Sequence, residues 1–168
     1  TVSIGKKQDV TEYIVEKLDK DYYDADELKQ EMEETVADYN AKQDSDSEAV
    51  SLKDFDYDAE TQVLKARMVY RTYRDYASIH NCDFFVGTIS EAGQNGYEWG
   101  DLKEVGTQSS DEKGSDEDKS EQMVVICSEA VDVEVPGSVW YLSDNASVDA
   151  SGIVTVGQSD GYSVIIYK

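Results

Sequence analysis

A chain of 168 residues that is 39% apolar and 31% charged can bury a core without metal or disulfide staples, hiding about 70% of its unfolded surface. Its 37 acidic and 15 basic residues leave a formal net charge of −22, a field that repels phosphate backbones and anionic headgroups and so argues against nucleic acid as a partner. No run reaches the roughly 18 apolar residues of a spanning helix, and the start at Thr1 rather than Met predicts a processed chain whose export or anchoring segment lies upstream, with membrane contact only through that anchor.

In chain order, Val10 to Leu18 fits both helical spacing and alternation, and the acidic turn Asp19-Lys20-Asp21 just after it favours a strand. Asp24 then caps a helix, with Glu27 at the capping-box position and Leu28, Met32, Val36 and Tyr39 forming one apolar stripe. Val50–Tyr57 and Val63–Arg71 read as a hairpin about the turn 58–61. Leu64, Ala66, Met68 and Tyr70 share its core face, whereas Lys65 and Arg67 share a mixed face with Val63, Val69 and Arg71. Thr72 and Asp75 open a second helix, which carries Tyr73, Tyr76, Ala77 and His80 on one side and is followed by the apolar segment Phe84-Phe85-Val86.

Residues 106–122 contain no apolar side chain and are expected to form a mobile polar insertion, since such a stretch buries nothing to offset its ordering entropy. The chain is expected to be a single domain over 1–168. The alternative is an α+β part at 1–105 followed by an all-β part at 123–168. In the C-terminal region Val131, Val133 and Val135 alternate with acids, Pro136-Gly137 is expected to turn the chain back, and Val139–Leu142 returns. Further short strands near Val148, Ile153–Val156 and Tyr162–Tyr167 complete an antiparallel meander. The fold class is α+β, with antiparallel sheet, two helices in the N-terminal part and a strand-rich C-terminal meander.

Few motifs carry chemistry. Gly157-Gln158-Ser159-Asp160-Gly161 matches the literal pattern of a hydrolase nucleophile elbow, but a strand follows it and the only histidine, His80, lies upstream, so a hairpin turn is expected there. One histidine also leaves a histidine-based zinc site short of ligands. Asp54, Asp56 and Asp58 alternate like the opening of a calcium loop, yet Ala59 stands at the glycine position and Lys65 at that of the bidentate glutamate. A frame starting at Asp44, with Asp46 and Glu48, ends on Phe55. No cofactor is expected, calcium being the alternative. Cys82 and Cys127, 45 positions apart, have neither metal nor redox spacing. A free, buried Cys127 is the simpler expectation, and a Cys82–Cys127 disulfide the alternative.

Two groups remain as ligand sites. Tyr97, Glu98, Trp99 and Asp101 place aromatic faces beside hydrogen-bonding acids, a composition suited to sugars, although rings anchoring a loop to the core account for it as well. Arg67, Arg71 and Arg74 are all the arginines of the chain, and their planar forks suit an anion or an acidic partner segment, or else neutralise nearby acids. Asn145-Ala146-Ser147 fits a glycosylation sequon.

The segment Leu18–Leu28 with the acidic helix up to Asn40, the Val131–Leu142 region and the tail Gly161–Lys168 resemble the corresponding parts of a group of uncharacterised acidic, Tyr-rich lipoproteins of gut Firmicutes. That resemblance implies a lipid-anchored cysteine just upstream of Thr1 and an extracytoplasmic, cell-surface bacterial domain. It brings no assigned activity. The expectation is a non-enzymatic, membrane-tethered domain that contributes to an interaction with a glycan or protein at the cell surface. The alternatives are a glycan or cell-wall polymer binding module, and a glycoside hydrolase using a carboxylate pair.

Overall fold

The chain opens on β1 (Val2–Ile4), too short to show a period, and reverses through a tight turn into β2 (Val10–Lys17), which pairs antiparallel with it. This computed structural model describes residues 1–20, 23–44, 47–105 and 122–168. Asp21 of the acidic turn, the calcium candidate Asp46 and the polar insertion up to residue 121 lie outside the described residues. Gln122 is 6% exposed, and its carbonyl accepts a hydrogen bond from the Ile89 amide.

Helix α1 (Ala25–Ala41) starts where Asp24 accepts hydrogen bonds from the Asp26 and Glu27 amides, satisfying two orphan donors of the first turn. Leu28, Met32, Val36 and Tyr39 are its half-buried stripe, as their spacing predicts. Strands β3 (Val50–Asp58) and β4 (Val63–Tyr70) form the expected hairpin, with an extra residue, Lys53, bulging from β3. Helix α2 (Tyr73–His80) carries the complete Thr72–Asp75 capping box. Strand β5 (Phe84–Thr88) leads into a short helix α3 (Ile89–Gln94), closed by a second box between Thr88 and Glu91.

The remaining strands are β6 (Lys103–Glu104), β7 (Met123–Cys127), β8 (Asp132–Glu134), β9 (Val139–Leu142), β10 (Ala146–Val148), β11 (Val154–Val156) and β12 (Ser163–Tyr167). They complete two sheets. One runs β10-β11-β8-β1-β2-β4-β3, with β1 and β8 parallel, and the other runs β5-β7-β12-β9-β6. The fold is α+β and rich in strand, with its helices in the N-terminal part.

The C-terminal strands cross repeatedly between the sheets, and among the described residues only β10 and β11 pair as neighbours in sequence there. Pro136-Gly137 therefore does not close a hairpin. It carries the chain from β8 in the larger sheet to β9 in the smaller one. A Cβ at Gly137 would collide with the carbonyl of Lys168, which accepts from the Ser138 amide, so the crossing needs glycine to let the chain end dock. Gly157–Gly161 is likewise a crossing, from β11 to β12, and not a hairpin turn.

The main core lies between the sheets. Val10, Val50, Met68, Tyr70 and Val133 of the larger sheet meet Phe84, Val86, Val125, Cys127, Ile165 and Tyr167 of the smaller one. The alternate residues Phe85, Val124, Ile126, Val164 and Ile166 form a second cluster, covered by Ala92 of α3 and by Tyr97, Trp99 and Leu102. Burial on both faces explains why β7 and β12 read as unbroken apolar runs rather than alternating strands.

Candidate functional site

The larger sheet sends a charged residue into its covered face. β2 alternates Val10, Glu12, Ile14 inward with Thr11, Tyr13, Val15 outward, and the register places Glu12 opposite Met68 on β4. Two residues further along β4, Tyr70 points to the same side, and His80 at the end of α2 completes the group. The Tyr70 hydroxyl donates to Glu12 Oε2 at 2.6 Å, and His80 Nε2 lies 3.1 Å from both that oxygen and the Tyr70 hydroxyl. The Tyr76 ring stacks against the imidazole at 4.3 Å between centroids.

Burial works to raise the Glu12 carboxyl, but hydrogen bonds from His80 and Tyr70 and the His80 charge outweigh it and hold the group below the usual carboxylate value. The bond to Glu12 raises the His80 pKa against the opposing effect of burial. Burial first, and the Glu12 charge second, push the Tyr70 hydroxyl up, so it remains a donor. The group thus favours an ion pair with a neutral tyrosine bridging it.

A groove of about 220 Å³ opens beside this triad. Ile14 and Met68 belong to its sheet side, Leu28 and Met32 to α1, and Ile79 to α2, with Glu31 as a second carboxylate. Glu12 Oε2 takes both bonds, and Oε1 receives none from the described residues. No buried side-chain oxygen or nitrogen among the described residues lacks a partner. Oε1 is therefore solvated, an acceptor at the edge of an apolar groove.

The sequence-derived candidates are placed elsewhere. Tyr97 packs on Phe85 and Tyr162 with centroids 5.3 and 5.5 Å away, and Trp99 joins it on the second cluster. The Tyr162 hydroxyl donates to the Glu98 carbonyl and accepts from its amide, pinning this loop, while the Glu98 side chain and Asp101 are exposed. The three arginines diverge. Arg67 pairs with Asp54 at 2.6 Å on the outer face of the larger sheet, Arg71 donates to the Ser47 carbonyl and hydroxyl, and Arg74 donates to the Tyr73 hydroxyl.

Asp56 faces Lys65 across the same ladder as Asp54 and Arg67, and Asp58 accepts from the Glu60 and Thr61 amides to shape the turn. Among the described residues no group of three or more His, Cys, Asp or Glu is arranged to hold a metal ion. Cys82 and Cys127 are free thiols. The Asn145 amide nitrogen donates to the Gly157 carbonyl and the Ser163 hydroxyl, holding the β11–β12 crossing, and Ser159 accepts from the Gly161 amide. Glu12 is hard to single out from sequence because it stands among the apolar members of β2 and its partners lie 58 and 68 positions away. Its signal was a lone carboxylate between Val10 and Ile14 on a strand that alternates.

The fold and the groove describe an α+β domain with an apolar recess marked by a histidine–carboxylate–tyrosine group. No helix among the described residues is long and apolar enough to cross a membrane. No protein-family model, curated protein or solved structure matches the chain.

Proposed function

We propose that this chain is a non-enzymatic binding domain, held outside the cell by an N-terminal lipid anchor, that engages a basic segment of a protein partner. The observation that carries the binding reading is the groove beside Glu12. An acceptor oxygen with no donor among the described residues, a second carboxylate at Glu31 and apolar walls suit the ammonium or guanidinium of a lysine or arginine flanked by apolar residues. The net charge of −22 favours the same class of partner, since it concentrates cations at the surface and speeds their encounter. The extracytoplasmic anchor rests on the resemblance to acidic lipoproteins.

Titrating a capped Leu-Lys-Leu peptide against the folded protein, and following the Met32 and Met68 methyl signals by NMR, tests this reading. Saturable shifts are expected with that peptide and not with Leu-Glu-Leu. Glu31→Gln and Glu12→Gln should each weaken binding by roughly ten-fold, the loss of one charge-assisted contact. Equal responses to both peptides, or none, would end the proposal.

A further inference from the structure

A second cavity, of about 420 Å³, lies away from the Glu12 groove between the β1–β2 turn, the first turn of α2 and the end of α3. Its electrostatics run opposite to those of the rest of the chain. The charged residues lining it are Lys7, Arg74 and Glu91. Glu91 is committed, since its Oε2 accepts from the Thr88 amide at 2.8 Å and from the Thr88 hydroxyl at 3.1 Å, closing the α3 capping box. Arg74 uses Nε on the Tyr73 hydroxyl and lies 5.6 Å from that ring's centroid, and among the described residues its terminal nitrogens have no hydrogen-bond partner in this cleft. Neither Arg74 nor Lys7 makes an ion pair among the described residues. Arg74 and Lys7 thus face a cleft whose one carboxylate among the described residues, Glu91, is engaged in the capping box.

The neutral groups narrow the ligand. Gln8, Gln94 and Asn95 also face the cavity, and Gln8 does so from a left-handed conformation, φ 63°, at the tip of the turn. The Asn95 amide nitrogen gives one of its two hydrogens to the Glu91 carbonyl, which orients the group and leaves the other hydrogen and Oδ1 for a ligand. Primary amides donate and accept at once, which matches hydroxyl groups. Phe85 adds an apolar surface. Inorganic phosphate would bring up to two negative charges into a strongly negative molecule and lacks the several spread-out hydroxyls of a polyol ring that three separate amides could meet. A planar carboxylate suits the arginine fork and brings only one charge. The volume falls within the range of small-ligand sites.

We propose that this cleft binds a sugar acid, a carboxylate on a polyhydroxy ring, with Arg74 and Lys7 on the carboxylate and the Gln8, Gln94 and Asn95 amides on the hydroxyls. The site is separate from the groove at Glu12, so it stands or falls without that reading. The cleft lies beside the Tyr97–Asp101 loop and borders it through Phe85, against which Tyr97 packs, but takes none of its lining from that loop.

Isothermal titration with glucuronate, a short oligogalacturonate, glucose and inorganic phosphate tests the assignment and separates a free sugar acid from a polymer end. Binding of glucuronate or the oligomer, with glucose and phosphate each weaker by at least roughly ten-fold, is the expected result. Arg74→Gln should reduce it by about ten- to a hundred-fold, as for a lost charge-assisted hydrogen-bonding pair. Lys7→Gln, at an exposed turn position that leaves the fold intact, should weaken it in the same direction. Phosphate binding as tightly as glucuronate, unchanged affinity in both variants, or no heat with either uronate would overturn the proposal.

Discussion

Glu12 and His80 make opposite demands on pH, and together they define a window of stability. The His80 pKa is raised on folding, so its contribution is complete below the ordinary 6.5 and is lost as pH rises through the higher folded value. That of Glu12 is lowered, so its contribution is complete above the ordinary 4.5 and is lost as pH falls through the lower folded value. The difference in unfolding free energy between the native chain and His80→Gln should therefore peak at about 1–2 kcal/mol between those two pH values and shrink toward alkaline pH. Urea titrations of both proteins across pH check this, and a difference that grows above neutrality would contradict it. The thiols report burial in the same way. Burial pushes the Cys82 pKa up to about 11 and that of Cys127 up to about 12, so few thiolates exist near neutrality. Iodoacetamide should label neither quickly in the folded protein and both once it is denatured, as read by intact mass.

At the scale of elements, local signals were legible wherever the chemistry was local. The Asp24 cap, the Thr72–Asp75 box and the β3–β4 hairpin depend on residues within a few positions of each other, and each formed as its pattern predicts. Helix α3 carries the same kind of signal in Thr88 and Glu91, but it is only six residues long with Gly93 inside it and Gly96 just beyond, so no apolar stripe marks it. One long-range tie was invisible. Asn40, near the end of α1, accepts from the Ala49 and Val50 amides and donates to the Val50 carbonyl, locking the start of edge strand β3 to the helix. Asn40→Ala should cost about 2–3 kcal/mol, because it strips three bonds from backbone groups that are partly buried. A lowered urea midpoint with an unchanged slope is the expected readout.

Across the whole molecule, the outer face of the larger sheet stays open, with Tyr13 45% and Val15 67% exposed beside the Arg67–Asp54 pair. The acidic surface is held together against its own charge. Screening that repulsion should stabilise the fold, so the melting temperature should rise between low salt and about 0.5 M sodium chloride. A flat or falling curve would mean that ion pairs such as Arg67–Asp54 outweigh the general repulsion. The strand order shows where pattern reading reaches its limit. Val131–Leu142 looks like a hairpin because an alternating run and a short apolar run flank Pro136-Gly137, yet β8 finds β1 and β11 while β9 finds β12 and β6.

Alternation, caps and composition depend on neighbours in sequence, and from them came the α+β class, the helix starts, the apolar stripe of α1 and the core face of β4. Sheet membership depends on which apolar face finds cover, and that cover comes from residues far along the chain. Long-range packing therefore set the crossing at Pro136-Gly137, turned Tyr97 and Trp99 into a lid on the second cluster and sent the three arginines to three different places. It also joined Glu12 to His80, 68 positions apart, since a hydrogen bond between them requires β2, β4 and α2 to be packed first.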